Sequence, residues 1–249
     1  MELYSPVNHS LTARPEITGA DFEQLYLAIR EREKRLYTDV QVSRLPDIDT
    51  MHPHCAEWQV RKQSAGHLVN YLQKKRRSLN ILEAGCGNGW LAAKMAGIPL
   101  AGVMGMDINR VEINQAERVF KRDNLKFKYG PFSAGDLNGE LFDIIVFAAV
   151  LPYFASVRGT IQLALSRLKP GGELHILDTP FYTVEEAGPA RERCIAYYER
   201  MGFPEMSRQY FHHTLDDLEG FEFRFLASPR SLLNRVTKKG RFYWISITN

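Results

Sequence analysis

An α/β protein with a doubly wound, mostly parallel sheet is the architecture this sequence predicts, and three stretches carry that expectation. Asn80-Ile81-Leu82-Glu83-Ala84 is an apolar run that enters Gly85-Cys86-Gly87-Asn88-Gly89, with glycine at every second position, before a helical stretch from Leu91 to Ala96. Val103-Met104-Gly105-Met106-Asp107 is a second apolar run, and it ends on a carboxylate. Phe142-Asp143-Ile144-Ile145-Val146-Phe147 is a third, read as a buried parallel strand. Near-continuous apolar strands of this kind belong to sheets covered by helices on both faces.

The elements follow in order. Residues 1–53 form a mixed N-terminal extension, with a helix expected from Asp21 (a candidate N-cap) to Tyr37 and then a polar loop holding Pro46 and Pro53. A helix from Cys55 to about Arg77 carries Trp58, Ala65, Leu68 and Leu72 on one face, and Arg61 falls on that same face. Strands are expected at 79–84, 101–107, 126–129, 142–147 and 173–178, with helices at 91–96, 110–122, 156–168 and 185–201. Lys169-Pro170-Gly171-Gly172 reads as a type II turn launching the fifth strand. A short helix from Thr214 and strands at 221–226 and 241–247 bring the strands to seven.

Composition narrows the class. The chain has 249 residues, 45% of them hydrophobic, enough to bury one sizeable core. A net charge of +3 is too mild to force nucleic-acid binding. The N-terminus has no basic start followed by an apolar run, and Leu141 to Ala155 is too short for a bilayer and contains Asp143 and Pro152. Three scattered cysteines, with no C-x-x-C, suggest neither a disulfide framework nor a zinc site, so a reducing cytoplasm and no membrane are expected. No His, Cys or carboxylate cluster has metal spacing.

The glycine turn predicts a nucleoside ligand. Gly85, Gly87 and Gly89 let backbone groups approach it closely, and Asp107 is placed to accept two ribose hydroxyls. A dinucleotide site wants a small sixth residue, whereas this chain has Trp90, and a pyrophosphate would sit badly beside Glu83. A carboxylate there suits an ammonium or sulfonium. Glu83-x-Gly85-x-Gly87-x-Gly89, followed by Asp107, resembles the first motifs of the Rossmann-like, class I S-adenosylmethionine-dependent methyltransferases, the small-molecule "type 11/25"-like kind. Leu168-Lys169-Pro170-Gly171-Gly172-Glu173-Leu174 and the Phe142–Phe147 strand extend the likeness, which spans about 55–249.

The resemblance implies a seven-stranded sheet with an antiparallel C-terminal hairpin, a methyltransferase domain over 54–249, and an extension over 1–53 that covers the substrate as a lid. It implies S-adenosyl-L-methionine as cofactor. Gly85, Cys86 and Gly87 would line its methionine part, Glu83 its ammonium, Asp107 its ribose, and Ile108 its adenine. Many relatives have Gly-Asp after the third strand, whereas this chain has Gly130-Pro131-Phe132, so Pro131 and a backbone contact at Phe132 are expected in place of an acid, with Asp136 reaching in only if its loop folds back. Phe147 and Ala148 would flank the methionine portion, with Tyr153 near the methyl group as candidate catalytic residue.

Plainer readings stand beside these. Asp107 is also placed to cap the helix near Arg110, Cys86 is a small space-filler before it is a reactive thiol, and Arg61 either snorkels to water or binds the cofactor carboxylate. His52 and His54, or His212 and His213, read first as polar surface; Tyr153, His54 and His213 are the candidate bases. Phe181, Tyr182, Tyr197, Tyr198, Phe203, Tyr210 and Phe211 would wall a small organic pocket, although the helical placement of Tyr197 and Tyr198 equally suits core packing. Basic runs at 74–77, 121–128 and 235–241 would suit a phosphate backbone if they shared a face. A small-molecule acceptor is favoured over RNA or protein; a non-catalytic S-adenosylmethionine-binding protein is the other class, and a nicotinamide oxidoreductase is disfavoured by Trp90 and Glu83.

Overall fold

The computed structural model describes residues 19–230 and 242–248. The helices are α1 (Gly19–Arg32), α2 (Asp39–Arg44), α3 (Cys55–Gln73), α4 (Trp90–Met95), α5 (Arg110–Val119), α6 (Val157–Ser166) and α7 (Val184–Met201). The strands are β1 (Leu79–Ala84), β2 (Ala101–Asp107), β3 (Leu125–Tyr129), β4 (Phe142–Ala148), β5 (Leu168–Thr179), β6 (Phe223–Ala227) and β7 (Tyr243–Thr248). They form one sheet in the order β3-β2-β1-β4-β5-β7-β6. β1 to β5 pair in parallel, and β7 runs antiparallel to both β5 and β6.

Alternation along each strand builds two cores. Ile81, Val103, Ile144, Val146 and Leu177 join Leu68, Leu72, Trp90 and Met95 of α3 and α4 on one face. Leu82, Ala84, Ile145, Phe147, Leu174 and Ile245 meet Val157, Ile161 and Ala164 of α6 on the other. Ile81, Leu82, Ile144 and Ile145 are each fully buried, so consecutive residues face opposite layers and neither layer is solvent.

Several boundaries differ from the sequence reading. The helix expected from Asp21 to Tyr37 stops at Arg32, and a new helix, α2, starts after Thr38, whose side chain and Gln41 form a reciprocal capping box. The expected turn at 169–172 lies inside β5: Phe142 pairs with Leu168 but Ile144 with Glu173, so the four residues bulge out while the strand continues. The basic run at 74–77 is engaged at the amino ends of the strands. Lys75 pairs with Glu173 at 2.8 Å, and Arg77 and Lys169 both reach Asp143, at 2.5 and 2.8 Å. Arg235, Lys238, Lys239 and Arg241 lie outside the described residues. No helix among the described residues is long and apolar enough to cross a membrane.

A third, smaller cluster matters most for the site. Ile29, Phe22, Leu25 and Tyr26 of α1 pack against Tyr197 and Tyr198 of α7, with Tyr153, Met206 and Tyr210 between them. The N-terminal helix is thereby seated over the carboxyl ends of the strands, where an open α/β sheet binds its ligand at the strand-order reversal between β1 and β4.

Candidate functional site

The turn after β1 is held by the end of β2. Gly85 and Cys86 each donate their N–H to the Met106 carbonyl, at 2.7 and 3.0 Å, and the Gly87 N–H reaches Asp107 Oδ2 at 2.7 Å. Gly87 has φ +52°, and a Cβ there would first meet the Glu112 carboxylate, at 3.1 Å. Gly85 is needed for a different reason, since a Cβ would lie 2.2 Å from Val150 Cγ2. Asp107 Oδ1 accepts the Asn109 N–H at 2.8 Å. It does not cap α5: Asn109 does, its side chain accepting from Glu112 N at 3.0 Å.

These residues border a cavity of about 420 Å³. Glu83, Gly85, Cys86, Gly87, Asp107, Ile108, Pro131, Phe132, Ala148, Arg61 and Tyr153 all line it. Phe147 does not. It is fully buried, its ring 5.3 Å from Phe132 and 5.8 Å from Phe154, so it supports the rings that face the cavity instead of facing it. Asp136 also stays outside, bonded to the Ser133 hydroxyl. Cys86 packs toward Gly105, and burial pushes its thiol well above the usual range, which makes it a space-filler.

The polar atoms that face the cavity match a nucleoside carrying an amino acid. Glu83 Oε2, Asn88 Oδ1 and Asn109 Nδ2 are buried without any hydrogen-bond partner, although all three residues line the space. Orphaned buried polar atoms gathered on one cavity are rare and call for a ligand that satisfies them. Burial raises the Glu83 and Asp107 carboxyls, and a cationic ligand would restore their charge. Arg61 hydrogen-bonds Glu57 through Nε and Nη2, at 3.1 and 3.0 Å, and still lines the cavity. This donor set fits S-adenosylmethionine: Asp107 for the ribose, Glu83 for the ammonium, Arg61 for the carboxylate, and the Gly87 backbone for close approach.

Sequence reasoning missed Asn88, Glu112, Arg30 and Asp178. Asn88 lay in plain view inside the glycine turn. Glu112 could have been found from the Asn109 cap, which fixes the first turn of α5 and so the face it presents. Arg30 and Asp178 had no local signal, because each joins the site only through the packing of α1 or the end of β5. Burial pushes the Glu112 carboxyl up to about 7, with Arg30 opposing and Asp107 reinforcing the shift. The unfolded chain ionises this group at its ordinary value first, so its contribution to stability falls as pH rises through that range and on to about 7. Glu112→Gln is therefore expected to raise the melting temperature at pH 8 by about 3 °C or more, with the gap closing toward pH 4.5. Thermal melts at the two pH values check this, and an equal gap at both would contradict it.

A second cavity of about 460 Å³ adjoins the first, and Tyr26, Arg30, Arg61, Ala149, Tyr153 and Asp178 line both. Tyr182, Tyr197, Tyr198 and Tyr210 of the sequence's aromatic segment line this second chamber. His212 lines it too, with Nδ1 buried and unpartnered. His213 instead donates from Nε2 to the Leu151 carbonyl at 3.1 Å, and His54 Nε2 lies 2.7 Å from the Glu33 carbonyl; neither lines either of these two cavities. Ala149 and Asp178 have φ of +59° and +51°, left-handed values for non-glycine residues that cluster at functional sites. Among the described residues no group of His, Cys, Asp or Glu is arranged to hold a metal ion.

Comparison with known proteins agrees with this geometry. A methyltransferase-domain family model matches residues 58–235, well over half of the chain. The chain is 27% identical over 206 residues to malonyl-[acyl-carrier protein] O-methyltransferase of Halalkalibacterium halodurans, covering 74% of this chain and 76% of that protein. It is 35% identical over 101 residues to the ubiquinone biosynthesis O-methyltransferase of Bartonella tribocorum, 40% of each chain. Magnesium protoporphyrin IX methyltransferase from Synechocystis PCC 6803 shares the fold, with a TM-score of 0.56 at 15% identity over 91% of this chain and 100% of that one. The chain belongs to the methyltransferase-domain family and is a class I S-adenosylmethionine-dependent methyltransferase.

Proposed function

We propose that the protein methylates a hydroxyl of a small organic acceptor held in the second chamber, with transfer across the junction at Tyr153. The observation that carries this reading is the pair of adjoining cavities, one with the nucleoside donor set and one walled by tyrosines. The relatives named as O-methyltransferases support the reaction class. S-adenosylmethionine, when bound, supplies an electrophilic methyl on a sulfonium whose sulfur departs as a neutral thioether. The chain's task is to align acceptor oxygen, methyl and sulfur and to keep water out.

The residues at the junction divide that work. Phe22 and Tyr26 of α1 pack on Tyr153 with ring centroids 6.1 and 5.8 Å away, and Tyr210 packs on its other side at 5.6 Å. The position of α1 supports reading the extension as a substrate lid. Burial raises the Tyr153 phenol, so it orients the acceptor and does not take a proton. A hydroxyl acceptor needs a base. Two carboxylates line both cavities. Burial would raise Glu57, but Arg35 and Arg61 hold it down at about 2. Asp178 is the other: burial raises it, and its one side-chain hydrogen bond is from Ser64 Oγ, at 2.8 Å to Oδ2. Asp178 receives the hydroxyl proton as the oxygen–methyl bond forms.

Asp178→Asn tests the assignment. Turnover is expected to fall about 100-fold or more, the usual worth of a positioned base. S-adenosylhomocysteine affinity should stay within about threefold, since Asp107, Glu83 and the glycine turn are untouched. The acid limb of the pH–rate profile should disappear as well. A variant with normal turnover would remove Asp178 from the chemistry.

A further inference from the structure

Arg30 lines both cavities. Among the described residues its Nε is buried without a hydrogen-bond partner, and its one ion pair, Nη1 to Glu33 Oε2, is long at 3.9 Å. Glu33 is already engaged elsewhere. Arg35 Nε lies 3.0 Å from its Oε2, and the Tyr197 hydroxyl donates to Oε1 at 2.5 Å. The other two arginines at the junction both hold Glu57, Arg35 at 2.6 Å and Arg61 at 3.0 Å, and Arg61 is the one assigned to the cofactor's carboxylate. Arg30 stacks instead over Tyr26, 5.1 Å from the ring centroid, which fixes the guanidinium without using its donors. A guanidinium left with free donors in a confined site is costly unless an anion completes it, and its planar fork matches a carboxylate.

Which carboxylate it meets follows from what surrounds it. With Glu83 on its ammonium, the cofactor's carboxylate would lie at the Glu83 end of the first cavity. Arg30 sits further along α1: its neighbour Ile29 and its ion-pair partner Glu33 line only the second cavity, whereas Phe22 and Glu23, earlier on the helix, line only the first. Arg30 therefore belongs to the junction and to the acceptor side of it. Beyond it the second chamber offers flat aromatic walls, Tyr153, Tyr197, Tyr198 and Tyr210, suited to a planar ring.

We propose that the acceptor is a small aromatic or conjugated hydroxy acid, and that Arg30 is the counter-ion that selects it by its carboxylate. This rests on the proposed methyl-transfer reading and narrows its substrate class. Arg30 acts on specificity. The ring lies among the tyrosines, the carboxylate on Arg30, and the hydroxyl toward Asp178, where the oxygen gains the methyl as its proton passes to Asp178.

Calorimetry on the full chain tests it without turnover. With S-adenosylhomocysteine saturating, the probes are 4-hydroxybenzoate, 4-hydroxycinnamate and 3,4-dihydroxybenzoate, each against its neutral primary amide. At least one acid is expected to bind tenfold or more tightly than its amide. Arg30→Gln should erase that preference and Arg30→Lys should restore part of it, while affinity for S-adenosylhomocysteine changes less than threefold in both. Acids that bind no better than their amides to the wild-type protein would overturn the proposal, whatever the variants do. So would a large loss of S-adenosylhomocysteine affinity in Arg30→Gln with the acid preference kept, which would assign Arg30 to the cofactor's carboxylate. Failure of the wild-type protein to bind S-adenosylhomocysteine at all would instead strike the underlying reading of the site.

Discussion

Gly87→Val is expected to abolish binding of S-adenosylmethionine while leaving the sheet folded. The Gly87 N–H is tied to Asp107, and its φ of +52° is a left-handed value that β-branched residues disfavour. The nearest group to a Cβ at this position is the Glu112 carboxylate, at 3.1 Å, and both residues line the cavity, so a valine would take up space the cofactor needs. The packed layers are built by side chains on either side of the turn, such as Ile81, Leu82, Ile144 and Ile145, and Gly87 contributes none, so the fold loses only local strain, about 1–3 kcal/mol. Calorimetry with S-adenosylhomocysteine should show no binding, and circular dichroism should show native strand content with a melting temperature lower by roughly 5 °C. A variant that binds normally would place the ligand elsewhere.

Asp107→Ala should have the next largest effect, a loss of cofactor affinity of about 100-fold or more. Two ribose hydroxyls each lose a charge-assisted hydrogen bond worth about 1.5–3 kcal/mol. The carboxylate also ties two backbone N–H groups, of Gly87 at 2.7 Å and Asn109 at 2.8 Å, so its removal loosens the turn it recognises through. Asp107→Asn should do nearly as badly. The asparagine amide would point a donor at one of those N–H groups, whereas a carboxylate accepts from both. Titrations of both variants with S-adenosylmethionine and with adenosine check this, since the ribose is common to the two. Equal loss for both ligands locates the defect at the ribose; unchanged affinity would mean the ribose is held by other groups.

Glu112 illustrates how such a site trades stability for binding. Its raised carboxyl costs the folded chain free energy at neutral pH, yet it lines the cavity beside Gly87. The same conflict runs through Glu83 and Asp107, which burial also raises. Three acids held close to one cavity favour a positively charged cofactor over its neutral-sulfur product.

The cofactor half of the site was legible in the sequence because its determinants are local. The spacing of Glu83, Gly85, Gly87 and Asp107 is set by one strand, one turn and the next strand, and β-strand periodicity carries those side chains to known positions. Phe147 shows the limit of that logic: it lies on the right strand, but the alternation turns its ring into the core behind Phe132. The bulge at 169–172 was unreadable because continuing β5 depends on pairing with β4 and β7, not on the Pro-Gly-Gly that suggested a turn.

The acceptor half was decided by tertiary structure alone. Arg30, Tyr153, Asp178 and Tyr197 are distant in sequence and belong to four separate segments, so no window of residues holds their relation. What brings them together is the burial of Phe22, Tyr26 and Ile29 against the tyrosines of α7, a long-range apolar contact between a helix before the domain's first strand and one after its fifth. By itself the sequence determined the layered α/β fold, the glycine turn and the carboxylate that ends the second strand, since hydrophobic period and glycine placement act over a few residues. The second chamber, the orphaned Nε of Arg30 and the proposal of Asp178 over Tyr153, His54 or His213 as base came from packing, which sets burial and so decides which polar groups are satisfied and which are left for a ligand.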